Sequence, residues 1–172
     1  MKKFEIKYLP YFPIVGLGLY VIVFIFAASY YPGGSINYPN AIGYSFSHNF
    51  LCDVMHSTTQ SGSINNARFM AIISHLILSF TMISFFCVLP KIFHVKNRNT
   101  MLIAFFGIAT MSVFIFMYTE YHDLIVTITG ILGTIALIPL FIELRHYKIK
   151  GLKKLVYTCY TLSIIVFFIF ET

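Results

Sequence analysis

The chain has 172 residues, of which 58% are hydrophobic and 10% charged, with 19 Phe, 12 Tyr and no Trp. A soluble domain carries about a quarter charged residues, so this composition excludes an ordinary soluble globule and defines an integral membrane protein too short for more than one bundle. The net charge of +6 does not indicate nucleic acid, because the Lys and Arg fall in short connectors between apolar runs, where they orient a membrane protein.

Residues 1–9 form a basic leader with Lys2, Lys3 and Lys7. The apolar run at 10–30 approaches the ~20 residues that a membrane helix needs. Its competing reading is a secretory signal peptide, since a basic start, an apolar core and Ala27-Ala28-Ser29 match the three parts of one. The run exceeds the ~7–15 residues of a signal core, which favours a span. Pro10 and Pro13 are tolerated in a first helical turn, and Pro32-Gly33-Gly34 ends the helix. The segment 31–66 that follows is neither span nor basic connector and is expected to form a structured outer loop. Further spans are expected at 67–89, stopped by Pro90, at 101–118, at 124–144 with a kink at Pro139, and at 155–170. The reading is all-α: one domain, 1–172, a polytopic transmembrane helical bundle of five spans.

Charge orients it. Lys2, Lys3 and Lys7 precede the first span, Lys91, Lys96 and Arg98 join the second to the third, and Arg145, Lys148, Lys150, Lys153 and Lys154 join the fourth to the fifth. These eleven of the twelve basic residues fall on one side if the spans alternate. The positive-inside rule makes that side cytoplasmic, with the amino terminus inside, the carboxyl terminus outside, and a bacterial inner membrane as the expected location.

The outer face then collects Asp53, Glu120, Asp123 and Glu171 with His48, His56 and His122, while Arg68 lies where the second span meets the surface. His75 is one heptad beyond Arg68, about 10 Å deeper, and a histidine inside a span faces the bundle interior or a wet cavity. Arg68, His75, Glu120, His122 and Asp123 are therefore expected to line one pocket.

Within the loop, 44–56 is expected to form an interfacial helix. On it His48, Cys52 and His56 share one face and Asn49, Asp53 and His56 another. One reading is a metal or acid/base cluster, with Asp53, His56, Glu120 and His122 as catalytic groups and His56, His122 and Asp123 as ligands of a divalent metal such as zinc. Asn49, Arg68 and His75 would then bind the ligand. The other reading is structural: Asp53 pairs with Arg68, Asp123 caps the fourth span, the histidines bond at the interface, and Cys52 is packing. The sequence has no HExxH, GxSxG or paired CxxC motif. Cys87 and Cys159 lie in apolar runs, where a thiol is a small hydrophobe. Gly130 and Thr134 make a small-xxx-small pair that admits another helix, with Gly133 and the pair Gly16 and Gly18 adding smooth surface. Thr158, Tyr160, Thr161 and Ser163 make the fifth span polar, for burial or for a partner.

Tyr31-Pro32-Gly33-Gly34, Asn49-Phe50-Leu51-Cys52-Asp53-Val54 and Asn66-Ala67-Arg68 resemble a bacterial and archaeal multi-span membrane family of unknown function. That family is similar in turn to the damage-regulated autophagy modulator and GPI-anchor-remodelling membrane proteins. The resemblance covers residues 10–90 by motif and implies a six-helix bundle and a lipid-related role. Cys52 replaces the family's Ser and Val54 its Leu. A sixth span is not found, which implies a longer chain or a partner that completes the bundle. Three functions are compatible with these readings: a lipid-binding or lipid-modifying protein with an outward polar site, a non-catalytic accessory subunit of a larger complex, and a transporter. The last has least support, because no span carries an ionisable pair at mid-depth.

Overall fold

The computed structural model describes residues 11–93 and 96–146, with individual positions between 151 and 165. The leader 1–9, Lys148, Lys150, Glu171 and much of the expected fifth span, Cys159 and Ser163 included, lie outside the described residues. The fold is all-helical, with four helices long and apolar enough to cross a membrane. They are α1 (Tyr11–Ser29), α2 (Arg68–Ile92), α3 (Arg98–Phe114) and α4 (His122–His146). A short 3-10 helix, Asp53–Met55, lies in the loop, and another, Ile115–Tyr118, extends α3. The described positions between 151 and 165 are helical and place Tyr157 and Tyr160 against Phe141 of α4. Thr158, Tyr160 and Thr161 are exposed, so burial in the bundle does not account for the polarity there.

Each helix packs on its neighbour in the chain, most extensively α1 on α2 and α3 on α4. Two apolar clusters mark the ends. At the loop end Phe24, Ala27 and Ala28 of α1 meet Val54 and Met55 of the loop, Ala67 and Ala71 at the start of α2, Met117 and Ile125. At the other end Leu89 and Phe93 meet Ile103 and Leu144. Burying Val54 completely removes its side chain from water, worth about 1.5–3 kcal/mol, so the loop is pinned to the helices by its own core residues.

The boundaries differ from expectation in instructive places. Pro90 does not stop α2: it sits inside the helix, which runs on to Ile92, because one missing amide bond and a local distortion are tolerated within a packed last turn. The third span tightens to 3-10 geometry after Phe114 instead of continuing as α-helix. There His75 of α2 donates its Nε2–H to Phe114 O at 2.8 Å, giving a carbonyl at the end of the α-helical ladder a partner in an apolar setting. The buried hydroxyls of Ser74 and Ser79 bond Ala71 O and His75 O of their own helix. Gly130 has nothing near its face and Thr134 is exposed, so the close helix approaches are elsewhere, at Gly16 against Thr81 and Gly107 against Phe86.

At the end away from the loop a buried acid escaped the sequence reading. Glu143, 8% exposed, accepts from Asn97 Nδ2 and Asn99 Nδ2 at 2.8 Å each. The same Asn97 caps α3 reciprocally with Thr100, so one asparagine both starts α3 and ties it to the end of α4.

Candidate functional site at the loop end

The loop is built on glycine geometry and three polar staples. Gly34 has φ +87°, and a Cβ there would lie 2.8 Å from both Pro39 O and Ser61 N, so only glycine fits this turn. Gly34 N donates to Ala41 O, and Gly43 N to Pro32 O. Asn49 Nδ2 donates to Gly34 O at 2.8 Å and to Asp53 Oδ2 at 3.0 Å; Tyr31 Oη also donates to Gly34 O. Asn65, buried, donates to Val54 O and His56 O and accepts from Ala67 N, stitching the 3-10 helix to the start of α2. Asn65 carried no distinguishing signal in the sequence beyond its place just before a span.

The expected interfacial helix over 44–56 does not form. Ser45 N bonds Asn49 Oδ1, and the hydroxyls of Ser45 and Ser47 approach His48 Nδ1 at 3.0 and 2.9 Å. Such local side-chain bonds compete with a helical ladder. The chain instead makes successive turns, and only Asp53–Met55 is helical. As a result His48 leaves the face of Cys52 and His56, packs edge-on against Tyr38 and lines a polar concavity with Asn37 and Asn40.

The tight turn has its own consequence. Three residues per 3-10 turn bring positions i and i+3 into line, and one ligand atom each of Cys52, Asp53 and His56 lie within 4.8 Å of one another. Asp53 is buried, Cys52 half-buried and His56 exposed. The ring of His122, from the first residue of α4, lies 6.0 Å from that of His56. His122 Nδ1 is 3.1 Å from Asp123 Oδ1, the one ion pair among the described residues. Asp123 thus projects into solvent at the first turn of α4 beside His122.

Asp53 does not pair with Arg68. Its Oδ2 accepts from Phe50 N and Asn49 Nδ2, both at 3.0 Å, while Arg68 is exposed on the first turn of α2. Burial, followed by the Asp53 carboxylate, pushes the Cys52 thiol and the Tyr31 phenol up; the same causes push Tyr44 up to about 12.

Beneath the loop lies a cavity of about 340 Å³ between α1, α2 and the end of α3. Phe24, Met55, Ala71, Leu78, Phe114 and Met117 give it apolar walls, and Cys52, Ser74 and His75 its polar atoms. Of the residues expected to share a pocket, His75 lines this one; Arg68, Glu120, His122 and Asp123 do not. Glu120 stays exposed in the turn before α4. The separation follows from depth: His75 lies two turns inside α2, whereas the other four stand at helix ends. Cys52 joins the two features, lining the cavity and belonging to the cluster above it.

No family model, curated protein or solved structure matches the chain. The class defined by the fold is an all-helical protein with four helices long and apolar enough to cross a membrane.

Proposed function

We propose that the chain is a multi-pass cell-membrane protein that binds a membrane lipid at its outer face, an acyl chain in the loop-capped cavity and the polar end against the loop. The observation that carries this reading is the cavity itself: an apolar volume of about 340 Å³, within the ≈ 300–1,000 Å³ range of small-molecule sites, roofed by Phe50, Leu51, Cys52 and Met55 of the loop, with Cys52 linking it to the polar cluster above. Arg68, exposed at the same end, is a cation suited to a phosphate headgroup. The proposed topology has five spans, the amino terminus inside and the carboxyl terminus outside. It is supported by the placement of Lys91, Lys96, Arg98 and Arg145 at the end away from the loop and by the positive-inside rule.

Native mass spectrometry of protein released from mild detergent tests the reading. One phospholipid should remain bound to the wild type, and Ala71→Trp or Leu78→Trp, which fill the cavity, should lose it. Equal retention by both variants contradicts lipid binding here. A second reading, a non-catalytic accessory subunit of a larger complex, is favoured by the open Gly130 and Thr134 face of α4, to which a helix of another chain can pack closely. Copurification of a second polypeptide lost in Gly130→Leu distinguishes it.

A further inference from the structure

We propose that Cys52, Asp53, His56 and His122 form a four-ligand site for a divalent transition metal of the zinc type. Three of the four already meet: their ligand atoms lie within 4.8 Å of one another. A loaded zinc tetrahedron, with bonds of about 2.0–2.3 Å, sets its ligand atoms about 3.5 Å apart, so the cluster closes by about 1 Å. Two imidazoles on one such ion have ring centres about 5 Å apart, against 6.0 Å between His56 and His122. His56 is exposed, and a small side-chain rotation supplies the difference.

The donor set suits the ion. A thiolate and a carboxylate balance the charge of a divalent cation, and two neutral imidazoles complete the N, S and O donors that zinc accepts. Coordination releases the Cys52 proton to water. Asp53 is 5% exposed and lacks a cationic partner among the described residues, a setting in which a carboxylate is costly unless countercharged or fully bonded. Its Oδ2 is held by Asn49 and Phe50, which fixes the carboxylate and leaves the other oxygen for the metal.

The neighbouring groups match what metal-binding histidines use. His122 lies within hydrogen-bond distance of Asp123 through Nδ1. With the proton on that nitrogen, Nε2 is the ligand atom, the carboxylate–histidine–metal arrangement of many zinc sites. Asp123 is then an orienting carboxylate rather than the ligand the sequence suggested. The metal site does not depend on lipid binding, since chelation removes the ion without filling the cavity.

The full chain in detergent, stripped with chelator and titrated with zinc or cobalt, provides the test. The site predicts one equivalent bound, a thiolate-to-cobalt charge-transfer band lost in Cys52→Ser, and at least tenfold weaker zinc binding in His56→Ala and in His122→Ala. Asp123→Ala should weaken binding by about 10–100-fold, and His48→Ala should leave it unchanged. Absence of stoichiometric metal in the wild type, or a cobalt spectrum without the thiolate band, overturns the site whether or not the variants fold. Unchanged affinity in both histidine variants overturns it as well.

Discussion

Replacing Asn65 with Ala isolates how much of the fold depends on fastening the loop to α2. The side chain makes three hydrogen bonds, to Val54 O at 2.9 Å, to His56 O at 2.8 Å and from Ala67 N at 3.0 Å. Val54 and Ala67 are fully buried, so water cannot replace those two bonds, whereas the exposed His56 can be hydrated. Two orphaned buried groups at about 1–3 kcal/mol each give a cost of about 2–6 kcal/mol. Equilibrium unfolding in mixed micelles, followed by circular dichroism, measures it. Asn40→Ala, an exposed loop residue, is the matched control and should stay within about 0.5 kcal/mol of wild type. Limited proteolysis should also cut Asn65→Ala faster between residues 57 and 64. Equal unfolding of the two variants would refute the assignment of Asn65 as the clasp.

Other substitutions follow from the same bonds. Asp53→Ala removes a buried acceptor of two amide donors and should cost about 1.5–3 kcal/mol, while Arg68→Ala, exposed and outside any ion pair among the described residues, should be near neutral in the same assay; equal costs would restore the pairing of the two. Glu143→Ala strands the amides of Asn97 and Asn99 and should lower stability by about 1–3 kcal/mol, read as earlier unfolding in a detergent melt. The phenol of Tyr44, pushed up to about 12 from 10.0 by burial and then by Asp53, keeps its proton in the folded protein where the unfolded chain loses it. Its contribution is therefore whole below pH 10 and is lost between about 10 and 12; Tyr44→Phe should flatten that part of the stability profile.

The helices were legible because their signal is compositional and repeated: four long apolar runs, each bounded by Pro, Gly or charge, predict α1 to α4 with ends displaced by up to four residues. What escaped depends on single contacts. The tightening after Phe114 has its partner in His75 on another helix, and the passage of α2 through Pro90 depends on packing; neither leaves a periodic trace. The loop helix over 44–56 was expected from the spacing of apolar and polar residues, but Ser45, Ser47 and Asn49 spend their side chains on local bonds that a helix would forgo. Helical spacing did place Cys52 with His56 and Asp53 with His56, but the three meet about the short 3-10 turn Asp53–Met55 and not on a helix over 44–56. Glu143 was also within reach, since an acid at the end of an apolar run requires hydrogen-bond donors and Asn97 and Asn99 stand in the facing connector.

The most direct test of lipid binding under the loop is a photoactivatable acyl phospholipid reconstituted with the full chain, its crosslinks mapped by mass spectrometry. Crosslinks concentrated at Ala71, Ser74, Leu78 and Phe114, and abolished by Ala71→Trp, are the predicted result. An even spread over the exposed helix faces, such as Ile14, Ile22 and Ile138, would contradict it.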